Sequence, residues 1–199
     1  MSAIDEVLAR NAEFARQFPG TGVGPTPALG LAVVTCIDVR VNVEKALGLD
    51  LGDAHVIRNA GGAITTDTIR SLVVSQFLLG TREIMLIKHT RCAMHALDEG
   101  ALKDQVEAVT GVRPDFPLER AGSIKSDLLE SAKRLRNSRL LRYTDRIRGF
   151  VYDVDTGVLT EVPLIPPVRS GPISVSPTTQ PRPEATLPSR RDREDLTGR

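Results

Sequence analysis

Three short apolar runs separated by helix-forming segments most constrain what this 199-residue chain can fold into. Residues 29–35 form an almost continuous aliphatic run that only Gly30 interrupts. Such a run is typical of a strand that is buried on both faces in a parallel sheet. Residues 54–58 and 83–87 predict two further strands. Because helical patterns alternate with these strands, we expect an α/β fold with a mostly parallel sheet flanked by helices.

The helical segments show apolar residues three and four positions apart, with capping residues at their ends. We predict helices over residues 42–47, 65–79, 94–109 and 123–136, the third with a break near Gly100. Residues 148–154 and 158–162 flank Asp155-Thr156-Gly157, a turn sequence. This pattern predicts a C-terminal hairpin or an antiparallel edge strand.

The two ends of the chain differ from its centre. Residues 4–17 predict an amphipathic helix, which a loop rich in glycine and proline separates from the first strand. We expect this helix to pack on a partner subunit, so that residues 1–27 act as a dimer arm for a domain over residues 28–162. Residues 163–199 contain eight prolines and almost no aliphatic periodicity, which predicts a disordered tail.

Composition excludes several classes of function. The net charge is +1 and only 4% of the residues are aromatic, so neither electrostatic attraction nor base stacking favours nucleic acid. No apolar run is long enough to span a bilayer, and the N-terminus lacks the apolar core of a signal peptide. We therefore expect a cytoplasmic protein that binds neither nucleic acid nor membrane.

Both cysteines of the chain lie where an apolar run stops, and a histidine accompanies the second. Cys36 follows the first predicted strand, and His89 and Cys92 follow the third. Thiolates and imidazole are ligands that zinc favours, and three protein ligands leave the fourth position open, as in catalytic sites. Parallel sheets bind ligands beyond the carboxyl ends of their strands, where the strand order reverses. On spacing alone, Cys36 is equally well explained as a buried, small apolar side chain.

Charged and glycine residues accompany the cysteines. Asp38 is placed to accept a proton from a zinc-bound water or to bind the zinc itself, and Arg40 is placed to hold that carboxylate in a bidentate pair. The alternative is a surface ion pair of little energetic value. The glycines of residues 58–62 allow backbone amides to approach a ligand, although a tight turn explains them as well.

Together these motifs resemble the β-class carbonic anhydrases, above all the short prokaryotic members. The resemblance rests on the order and spacing of Cys36-x-Asp38-x-Arg40, Arg58-Asn59-Ala60-Gly61 and His89-x-x-Cys92, and it extends over residues 28–162. It implies reversible hydration of carbon dioxide to bicarbonate and a proton by a zinc-bound hydroxide. It also implies a homodimer or a multiple of dimers in which N-terminal helices wrap the partner.

The resemblance also assigns roles to individual residues. One Zn²⁺ per subunit would be held by Cys36, His89 and Cys92. Asp38 would orient the hydroxide and Arg40 would hold Asp38. The substrate pocket would be lined by Gly61, Gly62 and Ala93.

The segment Lys88-His89-Thr90-Arg91-Cys92-Ala93 departs from the family pattern. Ala93 replaces a glycine, and its methyl group is expected to crowd the pocket or to forbid a positive φ. Lys88 and Arg91 add cations that are expected to lower the pKa of the bound water. Val39 is expected to narrow the entrance or make it more apolar. These departures keep two alternatives open: a zinc-binding member with little or no turnover, and a hydrolase of a carbon dioxide analogue such as carbon disulfide or carbonyl sulfide.

The cysteine pair and the two remaining histidines allow other interpretations. A redox dithiol of Cys36 and Cys92 would lack the usual Cys-x-x-Cys motif. His95 is expected to be a residue early in a helix rather than a proton shuttle. His55 lies within a predicted strand and is expected to be structural.

Overall fold

The computed structural model describes residues 2–20, 22–119 and 122–164. Within these residues the strands are β1 Leu31–Cys36, β2 Ala54–Asn59, β3 Glu83–His89, β4 Ile147–Tyr152 and β5 Leu159–Val162. The α-helices are α1 Ala3–Gln17, α2 Val43–Leu47, α3 Thr66–Phe77, α4 Glu99–Thr110 and α5 Ile124–Arg136. Short 3₁₀ turns occupy Ala60–Gly62 and Ala93–His95. None of the helices described has the length and apolar character that crossing a bilayer requires.

The five strands form one sheet in the order β2-β1-β3-β4-β5. Strands β1 to β4 are parallel, and β5 pairs antiparallel with β4. The predicted fold class, with its antiparallel edge, is thus confirmed. From β1 the chain first adds β2 on one side and then places β3 on the other, so the strand order reverses between β1 and β3. Ligand sites of open α/β sheets lie at that point.

The two faces of the sheet are covered unequally. Helices α3 and α5 cover one face, where a core forms from Ala32, Val34, Ile84, Leu86, Leu72, Leu128, Ala132 and Leu135. On the other face, Val33 and Ile87 pack against Val41 and Val43, at the short helix α2. Further apolar side chains of that face are only partly buried: Leu31, Met85, Phe150, Tyr152 and Leu159. Among the described residues, no long helix covers this second face.

Helix α1 confirms the N-terminal helix predicted by the apolar periodicity. Ser2 caps it, since its side chain accepts a hydrogen bond from the Asp5 amide while the Asp5 carboxylate accepts one from the Ser2 amide. No residue of α1 is buried. Its apolar face therefore finds no cover within the described part of its own chain.

The segment after Cys92 differs from the predicted helix over residues 94–109. Instead of a helix over residues 94–109 broken near Gly100, the chain forms the 3₁₀ turn Ala93–His95 and then α4. Asp98 caps α4 by accepting a hydrogen bond from the Ala101 amide at 3.0 Å, which places Gly100 inside the first turn. The predicted tail over residues 163–199 lies, apart from its first two residues, outside the described residues.

Candidate metal centre

The side chains of Cys36, His89 and Cys92 converge at the carboxyl ends of β1 and β3. Cys36 is the last residue of β1 and His89 the last residue of β3, and these two strands are paired in parallel. The exposed fractions are 4% for Cys36, 1% for His89 and 7% for Cys92. Their ligand atoms all lie within 4.8 Å of one another. The structure thus brings the three predicted ligands together at the reversal of strand order.

The geometry of this cluster fits a zinc ion. The two Sγ atoms are 4.0 Å apart, close to the sulfur–sulfur separation of about 3.8 Å that two Zn–S bonds at a tetrahedral angle require. His89 Nδ1 lies 2.9 Å from the Thr90 carbonyl oxygen. Because a carbonyl only accepts, Nδ1 carries the hydrogen and Nε2 offers a lone pair. Nε2 is buried and has no hydrogen-bond partner among the described residues, as expected for an atom that a metal would satisfy.

The two thiols differ in acidity. Burial raises the pKa of Cys36, but the neighbouring His89 imidazole and the backbone amides of Asp38 and Gly61 outweigh it and lower the pKa to about 7. Burial and the adjacent Cys36 raise the pKa of Cys92. Two thiolates this close repel each other unless a cation lies between them. Such a cation would make thiolates of both, and thiolates are the form that binds zinc.

Asp38 and Arg40 form a bidentate pair beside the ligands. Arg40 Nε donates to Asp38 Oδ1 at 2.9 Å, and Arg40 Nη2 donates to Oδ2 at 2.7 Å. These guanidinium hydrogen bonds hold the pKa of the Asp38 carboxyl well below its usual range. Asp38 Oδ2 lies 3.8 Å from His89 Nε2. An ionised carboxylate therefore lies beside the three candidate ligands.

Arg58 supports this arrangement in a way that the sequence analysis missed. Its Nε donates to the Cys36 carbonyl at 3.0 Å, and its Nη2 donates to the Asp38 carbonyl at 2.8 Å. Arg58 lies on β2 opposite Thr35 in the parallel register. The signal that could have revealed this contact is that register, because it places an arginine beside the end of β1.

The glycines Gly61 and Gly62 form a tight turn packed on the end of β1. Both have positive φ, 71° and 59°, and both are buried. A Cβ atom on Gly62 would lie 2.8 Å from the carbonyl carbon of Thr35. The Gly61 amide faces the Cys36 thiol, whose pKa it lowers. The tight-turn explanation and the amide-donor explanation therefore both apply here.

The cations predicted near the metal are both compensated. Lys88 is 3% exposed, and its Nζ lies 2.9 Å from Asp127 Oδ2. The Arg91 side chain pairs with Asp155. Each of the two cations that were expected to lower the pKa of the bound water thus has a carboxylate partner of its own.

The remaining residues singled out in the sequence are also located. Ala93 begins the 3₁₀ turn Ala93–His95 and is exposed. Among the described non-glycine residues, only Arg91 and Glu119 have a positive φ. The backbone at Ala93 therefore does not require glycine. Val39 is 96% exposed. His95 lies in the same 3₁₀ turn, where burial lowers its pKa. His55 Nδ1 lies 2.8 Å from Ser75 Oγ, as expected of a structural histidine.

Comparison with known proteins gives one consistent family. A family model described as carbonic anhydrase matches residues 31–159. β-Carbonic anhydrase 1 of Mycobacterium tuberculosis is 41% identical over 162 residues, covering 81% of this chain and 99% of the relative. A carbon disulfide hydrolase of Saccharolobus solfataricus is 33% identical over 151 residues, 63% of this chain and 74% of the relative. The crystal structure of carbonic anhydrase from Streptococcus mutans superposes with a TM-score of 0.78 at 37% identity, covering 82% of this chain and 99% of that one.

Proposed function

This chain belongs to the β-carbonic anhydrase family, and we propose that Cys36, His89 and Cys92 hold the one zinc ion per subunit on which its activity depends. The reaction is the reversible hydration of carbon dioxide to bicarbonate and a proton, which makes the protein a carbon–oxygen lyase. The observation that carries this function is the buried cluster of two thiols and an imidazole nitrogen without a hydrogen-bond partner, with an ionised carboxylate beside it.

Zinc, when bound, supplies a Lewis acid that lowers the pKa of water. Asp38 would orient the attacking water by accepting a hydrogen bond from it, so that an oxygen lone pair faces the carbon of carbon dioxide. Arg40 keeps that carboxylate ionised and fixes its plane through two hydrogen bonds. Arg40 is itself fixed, since its Nη2 also donates to the Arg91 carbonyl at 3.0 Å.

The substrate pocket is proposed to be formed by the turns that flank the ligands. Gly61 and Gly62 supply a wall without side chains, and Met94 packs against it 3.1 Å from the position a Cβ on Gly61 would take. Ala93, which is exposed and precedes Met94, is proposed to line the same pocket. Small apolar walls suit a linear, nonpolar molecule such as carbon dioxide.

The function is tested by zinc content and hydration rate measured on the same preparations. We expect one zinc per chain by elemental analysis and hydration of carbon dioxide by stopped flow. Cys36→Ser and His89→Ala should lose both. Full hydration activity in either variant would overturn the assignment of the ligands, and a zinc-loaded wild type no faster than the buffer would favour a binding protein without turnover.

Hydrolysis of a carbon dioxide analogue is a second candidate because relatives named carbon disulfide hydrolase match this chain. The entrance offers exposed apolar side chains, with Ile37 57% and Val39 96% exposed on either side of Asp38. The two candidates are separated by measuring kcat/KM for carbon dioxide, carbon disulfide and carbonyl sulfide with one preparation. A higher value for a sulfur-containing gas would replace the first assignment.

We further propose a homodimer, or a multiple of dimers, built through α1. The helix exposes Ile4, Val7, Leu8 and Phe14, between 60% and 72% each. A second copy of the chain offers the incompletely covered face of its sheet, where Leu31, Met85 and Phe150 are only partly buried. Helix α1 of one subunit thus fits the face that the other leaves open. Both cysteines are free, and a cytoplasmic location would keep them reduced.

A further inference from the structure

Lys88 is a buried ammonium whose three hydrogen bonds are all accounted for. Its Nζ donates to the Gly61 carbonyl, to the Gly62 carbonyl and to Asp127 Oδ2, each at 2.9 Å. A lysine has three N–H donors, so the group is fully satisfied. Burying an ammonium is costly unless it is paired and hydrogen-bonded. The two glycine carbonyls and the Asp127 carboxylate therefore stabilise the Lys88 ammonium in its buried position.

The turn held by Lys88 also contacts a metal ligand. Successive side chains on a strand point to opposite faces, so Lys88 points towards α5 while the adjacent His89 points towards the cluster. The carbonyl groups of Gly61 and Gly62 accept hydrogen bonds from Lys88, and on its other side the turn packs on β1, where a Cβ atom on Gly62 would lie 3.1 Å from the backbone nitrogen of Cys36. Lys88 thus acts on the opposite side of the same turn from the ligand.

Asp127 anchors this contact to the helical layer. It lies in the first turn of α5, where a carboxylate is favoured by the helix dipole. Its side chain is 19% exposed and that of Lys88 is 3% exposed. The chain of contacts therefore runs from α5 through Lys88 to the glycine turn and on to Cys36.

We propose that Lys88, neutralised by Asp127, is a positioning residue that fixes the Gly61–Gly62 turn and thereby the retention of zinc at Cys36. The proposal rests on the zinc centre proposed above. Partners that orient metal ligands typically change metal affinity or activity by about 10- to 100-fold when removed.

The test compares two variants that both break the ion pair. Lys88→Met removes the donor to both carbonyls, and we expect zinc dissociation, measured with a chromogenic chelator, to become about 10- to 100-fold faster. Asp127→Asn keeps an acceptor oxygen for Lys88 and leaves the turn held, so dissociation should stay within about threefold of the wild type. Lys133→Met, at an exposed pair, is the matched control and should leave dissociation unchanged.

The double variant Lys88→Met/Asp127→Leu separates positioning from stability. It removes both buried charges, and thermal unfolding should recover towards the wild-type Tm. If Lys88 positions the turn, zinc dissociation remains fast in this variant. Recovery of slow dissociation together with Tm, or equal dissociation rates in Lys88→Met and Asp127→Asn, would overturn the proposal. A wild type that binds no zinc would instead overturn the metal centre itself.

Discussion

At the carboxyl edge of the sheet, the charged side chains of Asp38, Arg40 and Lys88 are all hydrogen-bonded within one chain, whereas α1 buries none of its residues. One region is complete within the subunit, and the other presents an apolar face without cover from the described residues.

The difference separates the part of the molecule that is complete in one chain from the part that the proposed second subunit would cover. The ligand edge is built by contacts between neighbouring strands, such as Arg58 of β2 with the carbonyl groups of Cys36 and Asp38. Helix α1 is held by its own cap and by ion pairs on its surface, such as Glu6 with Arg10. A 15-residue helix with only such support is marginal in water. Metal binding should therefore respond to changes at the edge, and assembly to changes in α1.

The largest effect is expected at the glycine turn. Gly62→Ala would place a Cβ atom 2.8 Å from the Thr35 carbonyl carbon at a φ of +59°. Backbone clash and a left-handed conformation together should lower the free energy of unfolding by about 3 kcal/mol and remove most of the bound zinc. Denaturant unfolding and elemental analysis measure both quantities.

Gly48→Ala is the matched control for this change. Gly48 also has a positive φ, +64°, but a Cβ there would meet nothing within 4 Å. It should cost about 1 kcal/mol and leave the zinc content intact. Equal losses of zinc in the two variants would show that zinc binding is no more sensitive to the backbone at the glycine turn than to the backbone at the end of α2.

The next effect concerns the Asp38 carboxylate. Arg40 holds the pKa of Asp38 below its usual range, so the carboxylate is ionised across the neutral and mildly acidic range. Arg40→Met should raise that pKa, so that Asp38 takes up a proton at a higher pH than in the wild type. We expect turnover to fall about 10- to 100-fold and the acid limb of the pH–rate profile to move to higher pH.

The control for this prediction is Arg70→Met, which breaks the exposed Arg70–Asp67 pair on α3 and should change neither rate nor profile. The acid limb of kcat/KM and the carbon-13 shift of Asp38 in the zinc-loaded protein report the two quantities. An unchanged Asp38 titration in Arg40→Met would contradict the proposed role of the guanidinium.

Much of the fold could be predicted because local sequence determines it. The aliphatic runs gave the positions of β1, β2 and β3, and the ends of these runs located Cys36 and His89. The site could be placed because parallel strands share one carboxyl edge. The start of α4 was misplaced because Asp98 caps it in competition with the helical periodicity that begins at Met94.

The surroundings of the ligands could not be predicted because they depend on contacts distant in sequence. Lys88 and Asp127 are 39 positions apart, and nothing in either local segment identifies the other as its partner. Arg58 is 22 positions from Cys36. The sequence shows the sign of each charged side chain. Whether that charge has a partner depends on the strand register and on the packing of the helices.

Leu8→Asp tests whether the exposed apolar face of α1 binds a second subunit. Leu8 is 61% exposed within the subunit, so the change should alter subunit stability by no more than about 0.5 kcal/mol. If α1 binds a partner, burying a carboxylate there should weaken association at least about tenfold. Light scattering over a dilution series measures this. Glu13→Gln on the same helix is the polar control. Unchanged assembly in Leu8→Asp would exclude α1 from the interface.

The smallest effect is expected from Arg91→Asp, at the rim of the ligand edge. The Arg91 side chain is 59% exposed and pairs with Asp155, itself 61% exposed, and such surface pairs contribute little. Its φ of 54° is a conformation that aspartate tolerates better than arginine. The Arg91 carbonyl, which accepts from Arg40, is retained by any side chain. We therefore expect turnover within about threefold of the wild type and no change in zinc content, because the ligand edge depends on the backbone at this position.

Asp155→Asn removes the same ion pair and should give the same turnover as Arg91→Asp. A tenfold change in Arg91→Asp alone would show that the guanidinium itself acts at the site.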